Sequence, residues 1–215
     1  MKHRLVLMGA GGFAKEVLWT CSQIPADQRA WEDICLIDDD LDASRARLNS
    51  CGVQLDVIST IYDFFPGAND QLVCTVGDPR IKLDICNRML ERGGRFANVI
   101  HPTVTIGPRS TLGQGVIMEM LSGLSVDVTV GNFVTINAHT GCGHDAVVED
   151  GCTISAFCDV TGHAHLERGV FLGSHATIMP GVRVGEYSVV GAGSVAIRNV
   201  KAGQTVIGVP AKVLM

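Results

Sequence analysis

The sequence predicts a fold in two parts: a small parallel α/β unit over residues 1–97, then an all-β parallel β-helix over residues 98–215. Three observations carry this. Strand-like and helix-like segments alternate up to about residue 95. From about residue 98 helical periodicity vanishes, and glycine and β-branched residues dominate. A six-residue register then runs without insertion from Ile106 to Ala196.

In the first part, "HRLVLMG" is a short buried-strand run, and "GFAKEVLWTCSQI" follows with Phe13, Val17, Leu18 and Cys21 at helical spacing. "ICLID" (34–38) predicts a second strand ending in acids, and "QLVCTVG" (71–77) a third. The next segment has Asp78 at an N-cap position, Pro79 at the first helical position and Gly93 as a C-terminal stop.

In the second part, every sixth residue from Ile106 is apolar, sixteen positions in all. The residues two before them, Val104 to Ser194, are all small or β-branched. Residues two apart on a strand point the same way, so a bulky and a small residue per hexad fill one interior. Glycine follows the bulky position at 107, 113, 131, 143, 173, 185 and 191, where it is expected to supply φ > 0 at the turns.

Charged residues make up 18% of the chain, hydrophobic residues 47%, and the net charge is -5. The chain is foldable and has no basic block for a nucleic acid. The apolar run near the N-terminus is only "LVLM", too short for a signal-peptide core or a membrane span, so the cytoplasm is expected. Eight cysteines lie at 21, 35, 51, 74, 86, 142, 152 and 158 with no CxxC spacing. They read as reduced core residues.

Five motifs occur in order: "GAGGFAKEV", "HP" at 101–102, "IN" followed by "GHDAVVEDGCTIS", "VGAGSV" and "IGVPAK". In these the chain resembles the hexapeptide-repeat sugar O-/N-acyltransferases, typified by the sialic acid O-acetyltransferase and the nucleotide amino-sugar N-acetyltransferases of bacillosamine and perosamine type. The resemblance implies a Rossmann-like nucleotide-sugar-binding domain followed by a left-handed β-helix of three hexads per coil, assembled as a homotrimer. It implies acyl transfer from acetyl-CoA or another acyl-CoA to the amino group of a nucleotide-linked amino sugar, without a metal. Transfer to a hydroxyl of a sialic-type sugar is the alternative in the same class. A non-catalytic or zinc-dependent hexapeptide-repeat protein is the alternative in another.

Residue by residue, the resemblance makes His144 the general base and Asp145 the acid that orients its ring. Imidazole suits this role because it titrates near neutrality. Asn137, seven residues earlier, belongs to the same pattern. Many family members carry a second histidine nine residues after the base, at the thioester. Here that position is Thr153, whose hydroxyl is expected to bond the carbonyl instead. Gly173, Ser174, Gly191, Ala192 and Lys212 match positions along the CoA groove, with Lys201 and Arg198 as further candidates for its phosphates.

The glycine loop at Gly11, Gly12 and Phe13 follows a strand and opens a helix, which suits a phosphate. Asp38 and Asp39 are placed for the base or ribose, and Gly77 ends the third strand beside them. The loop also fits G-x-G-x-x-A, the dinucleotide fingerprint, so an NAD-binding domain is the rival reading. With eighteen residues per coil, Asp145 should stack near His163, and His139 should lie two coils from His175. One acid–histidine pair is too few ligands for zinc. His139 and His144 should face outward and Cys142 inward. The roles of His139, His163, His165 and His175 stay open.

Overall fold

The computed structural model describes residues 3–50, 52 and 54–214. The N-terminal unit holds strands β1 (Arg4–Met8), β2 (Asp33–Ile37), β3 (Val57–Ser59), β4 (Asp70–Cys74) and β5 (Arg95–Phe96). Helices α1 (Gly12–Gln23), α2 (Leu41–Ser50) and α3 (Pro79–Glu91) connect them. All five strands are parallel, in the order β3-β2-β1-β4-β5. Alternation along β1 explains the layers. Leu5 and Leu7 pack with Ala14, Val17 and Cys21 of α1 on one face, while Val6 and Met8 pack with Leu83, Cys86 and Met89 of α3 on the other.

The helix signals in α3 hold in detail. Asp78 caps the Arg80 and Ile81 amides. At the far end Gly93 has φ +78, its amide donates to Leu90 O, and that of Gly94 donates to Met89 O. These two bonds form a Schellman stop. The sequence reading did not single out α2 or β3. Only Ser44 and Leu48 are buried in α2, so its apolar stripe is too thin to mark a helix.

From Val99–Ile100 to Val195–Ala196 the chain makes two-residue strands spaced by six. They stack into three parallel faces, as expected of a left-handed β-helix of hexapeptide repeats. Partners are eighteen residues apart, as in Ile136↔Ile154 and Cys142↔Val160. The bulky and small residues of the register fill one continuous core. Cys142, Cys152 and Cys158 lie inside it, and burial pushes the Cys142 and Cys152 thiols up to about 12. The described cysteines are free and buried, while Cys51 lies outside the described residues.

The expected role of the post-bulky glycines needs correction. Positive φ falls two residues later, at every sixth residue from Arg109 to Gly193, and most of these corner positions are not glycine. Leu121, Phe133, His139, Asp145, Phe157, His163, His175 and Tyr187 all adopt it. The glycines at 143 and 173 instead allow close stacking: a Cβ there would lie 2.6 Å from the backbone nitrogen of Gly162 or Ala192 in the next coil.

The two units dock through α3. Lys82, only 1% exposed, donates from Nζ to Thr153 Oγ1 (2.8 Å), Cys152 O (3.0 Å) and Thr135 Oγ1 (3.2 Å) on the β-helix. Thr153 in turn donates to Gly77 O (2.8 Å). Leu83 packs against Gly151, Phe96 meets Phe133 edge-on at 4.7 Å, and the Arg80 guanidinium lies 4.1 Å over the Tyr187 ring.

Gly185→Ala should lower stability by about 1–3 kcal/mol through overpacking, because its Cβ would sit 2.8 Å from Ala202 Cα. An unchanged thermal midpoint would contradict this close stacking. Lys82→Met leaves three oxygens without their donor and should cost about 1–3 kcal/mol. Burial lowers the Lys82 ammonium from its ordinary 10.5 to about 8. The folded state therefore binds fewer protons than the unfolded one between those values, and wild type should gain stability over the variant as pH rises through that window. Denaturant melts at pH 7.5, 9 and 10 check the sign, and a constant difference would refute it.

Candidate functional site

The order of the five-stranded sheet reverses between β1 and β4, so the loops after these strands open a crevice. Gly9 needs its φ of +105 here, with Val76 Cγ2 3.0 Å from where a Cβ would stand. At Gly11 and Gly12 a Cβ would meet nothing within 4 Å. Gly11 is the N-cap of α1 and supplies no side-chain bond, so the first amides of the helix are left for an anion.

Asp38, expected at the base or ribose, accepts the Ala10 amide at Oδ2 (2.6 Å) and the Asp40 amide at Oδ1 (3.0 Å). One oxygen thus shapes the glycine loop and the other its own turn after β2. Asp39 accepts the Tyr62 amide at Oδ1 (3.1 Å) and is exposed. Arg47, which the sequence did not mark, anchors the same loop by donating to Ala10 O (2.8 Å).

Below this loop a cavity of about 230 Å³ lies between the two units. It is lined by Phe13 and Glu16 of α1, by Gly77, and by Thr135, Asn137, Thr153, Ser155 and Phe171 of the β-helix. The structure thereby gathers four of the expected residues, Phe13, Gly77, Asn137 and Thr153. Thr153 needs a correction. It is 3% exposed, its hydroxyl hydrogen goes to Gly77 O, and its oxygen takes the Lys82 ammonium. The hydroxyl is a domain contact, and no second proton is left to donate to a thioester carbonyl.

His144 and Asp145 lie elsewhere. Asn137 follows the strand Thr135–Ile136 on the eight-stranded face, whereas His144 follows Gly141–Cys142 on the six-stranded face. Both members of the pair are exposed, with His144 Nδ1 2.8 Å from Asp145 Oδ2. A carboxylate at Nδ1 fixes the tautomer that leaves the Nε2 lone pair free. The expected stack forms as well: His163 Nε2 is 3.8 Å from the same Asp145 oxygen, and its ring stands perpendicular to that of His144 at 5.0 Å. His144, Asp145 and His163 are the one cluster among the described residues whose ligand atoms all fall within 4.8 Å. That is one donor more than coil stacking alone predicts, although Nδ1 of His144 is already engaged by Asp145.

Gly162 went unnoticed in the sequence. A Cβ there would lie 2.6 Å from His144 Nε2, so only glycine leaves the imidazole where it is. His139 and His175 do lie two coils apart, with Phe157 stacked between them at 4.6 and 4.9 Å. His165 is tied to Glu149 (2.7 Å) and Arg183 (3.1 Å).

The row holding Asn137 continues through Ser155 to Gly173 and Gly191, a line of small residues leading away from the cleft. The amides of Gly173 and Gly191 donate to Val190 O and Val206 O, both at 2.8 Å, and are not available to a ligand. A Cβ at either glycine would run into protein, Ala192 N at Gly173 and Ile207 Cγ2 at Gly191, both at 2.6 Å, so what they serve is close packing of the next turn of chain. Ser174, Ala192 and Lys212 are exposed beside them.

Fold and site together define a two-domain hexapeptide-repeat protein whose first domain is Rossmann-like. Residues 4–89 match the PglD N-terminal domain, and residues 163–197 match the bacterial transferase hexapeptide (six repeats). In these two parts the chain is similar to proteins that join a PglD-type N-terminal domain to bacterial transferase hexapeptide repeats. It is 24% identical over 213 residues to a GDP-perosamine N-acetyltransferase of Escherichia coli O157:H7, covering 96% of this chain and 94% of that one. The acetyltransferase domain of PglB from Neisseria gonorrhoeae FA1090, in complex with acetyl coenzyme A, superposes with a TM-score of 0.85 at 23% identity, all of both chains being covered. PerB from Caulobacter crescentus, in complex with CoA and GDP-perosamine, gives 0.80 at 24% identity over 98% of this chain and 97% of that one. The chain spans only 38% of a serine acetyltransferase of Buchnera aphidicola that it matches at 32% identity over 112 residues, 52% of its own length.

Gly162→Ala should displace the His144 ring without unfolding the coil, since the conflict is with a side-chain end. Imidazole resonances of His144 should shift and lose the signature of the Asp145 bond while the melting curve stays put. Unchanged resonances would refute this role for Gly162.

Proposed function

We propose that the protein is an acyl-CoA-dependent N-acyltransferase acting on the amino group of a nucleotide-linked amino sugar in surface-glycan synthesis. The observation that carries this reading is the His144 Nδ1–Asp145 Oδ2 contact of 2.8 Å, which leaves Nε2 as a base. The sugar nitrogen attacks the thioester carbonyl of acetyl-CoA, and its proton passes to His144 Nε2. The new C–N bond forms, the C–S bond breaks, and the CoA thiolate takes that proton from the imidazolium.

In this reading residues 1–97 bind the nucleotide-sugar, with its phosphates at the uncapped start of α1 near Gly11, Gly12 and Phe13. Residues 98–215 form the acyl-transfer domain, and CoA lies along Gly173, Ser174, Gly191, Ala192 and Lys212. The names of the full-length relatives, a GDP-perosamine N-acetyltransferase and structures holding CoA with GDP-perosamine, support an N-acyl reading over O-acylation and over NAD. The lining of the cleft includes no imidazole, and His144 stands on another corner. This supports a homotrimer in which the cleft of one subunit meets His144 of the next. No helix among the described residues is long and apolar enough to cross a membrane, in keeping with work on cytoplasmic CoA.

A thiol-release assay with acetyl-CoA against UDP-, GDP- and dTDP-linked amino sugars tests the proposal. Wild type should turn over at least one, and His144→Ala should lose at least ~10²-fold in kcat with its fold intact. Full activity in the variant would remove His144 from the mechanism. Stoichiometric zinc with activity lost on chelation would overturn the metal-free reading.

A further inference from the structure

Glu119 stands one coil below Asn137 in the same row, and its amide donates to Ile136 O (2.9 Å). It is 4% exposed. Oε2 accepts the hydroxyl of Thr20 from α1. Oε1 is buried without a partner, and so is Oδ1 of Asn137, the residue that reaches the cleft. Two buried oxygens on neighbouring rungs, each lacking a donor, make an expensive arrangement. Rungs are about 4.8 Å apart, within reach of these two side chains. A single proton satisfies both atoms.

We infer that Glu119 is protonated in the native protein and donates from Oε1 to Asn137 Oδ1, so that it positions the Asn137 amide in the cleft. A chain then runs from the Thr20 hydroxyl through the Glu119 carboxyl to Asn137, whose Nδ2 hydrogens face the cavity as donors. The cleft thus offers Asn137 to an oxygen of the substrate. The surroundings agree. Glu16 and Cys21 face Glu119 from α1, and His101 occupies the rung below with Nδ1 held by Thr103 (2.9 Å). Among these no cation offsets a carboxylate, and burial with the Glu16 charge nearby holds the Glu119 carboxyl above its usual range. A neutral Glu119 also matters to the chemistry. Glu16 already brings one carboxylate to the exposed rim of the cleft, and a second, buried charge would further favour the sugar amine as an ammonium, which has no lone pair for attack.

This inference rests on the proposed function only in taking the cleft as the sugar site, and its first test needs no substrate. Infrared spectra of the free protein at pH 7 should show a protonated-carboxyl C=O band that disappears in Glu119→Gln and moves to higher frequency in Asn137→Ala. Kinetically, Glu119→Gln keeps a donor for Asn137 and should retain kcat/KM within about threefold. Glu119→Ala should lose at least about tenfold, in KM for the nucleotide-sugar more than in kcat. An ionised Glu119 at pH 7, or a Gln variant as impaired as the Ala variant, would overturn the inference. If wild type acylates no sugar, the proposed function fails while the band still decides the state of Glu119.

Discussion

A single ammonium sets how the two halves of this molecule meet. Hydrophobic contact between α3 and the coils is non-directional, and Leu83 or Phe96 would tolerate a small slide. Lys82 does not, because its Nζ must find three oxygens of the β-helix in a site closed to water. Two of its acceptors, Thr135 and Thr153, also form the cleft wall, and Thr153 bonds Gly77 in the loop after β4. The contact that joins the domains is therefore the floor of the cavity. Its shape depends on the docking rather than on either domain alone.

The β-helix meets a second constraint, that each coil lie flat on the next. Small residues after the strands let the backbones approach, and the left-handed corner residues then present side chains outward one coil apart. At the corner facing the α/β unit these are Phe133 and Tyr187, which pack on Phe96 and Arg80. At the next corner His139, Phe157 and His175 form a stack of parallel rings. At the third, Arg109 pairs with Asp127, and Asp145 lies beside His163. Left-handed backbone is costly for a bulky residue, yet here each such residue gains a neighbour that glycine would lack. The same geometry that repeats the fold thus sets His144 and Asp145 against His163.

Most of the fold was legible because it is periodic. The hexad register from Ile106 to Ala196 and the caps of α3 are local patterns, and local patterns survive in a single sequence. The glycine role was misread because a φ > 0 position and a close-approach position both favour glycine, and only coordinates separate them. Within the site, the motif residues Asn137, His144 and Asp145 could be picked out, but their distribution over two corners could not. Lys82 reads as an ordinary helix lysine and Glu119 as an ordinary turn acid. Their burial arises from the docking of α1 and α3, which leaves no mark on either segment. Thr153 shows the limit of transfer by resemblance: the position matches a family histidine, yet the side chain faces Lys82.

The separation of the cleft from His144, the proposed base, follows from these constraints. A row of residues at one corner of the β-helix can serve a ligand only along its own edge, since the coils are rigid and the next corner is one hexad away. The α/β unit covers the edge carrying Asn137 and leaves the edge carrying His144 open. A substrate anchored at the start of α1 and reaching past Asn137 therefore meets only donors and apolar groups from its own chain, with Glu16 exposed at the rim. In the proposed reaction, proton transfer would fall to an imidazole on a surface this chain does not itself enclose. The exposed His144–Asp145 pair, already bonded in the tautomer a base requires, has the right chemistry for a neighbouring copy. In that arrangement assembly and catalysis share one requirement, because closing the cleft against a second β-helix both excludes water and supplies the missing nitrogen.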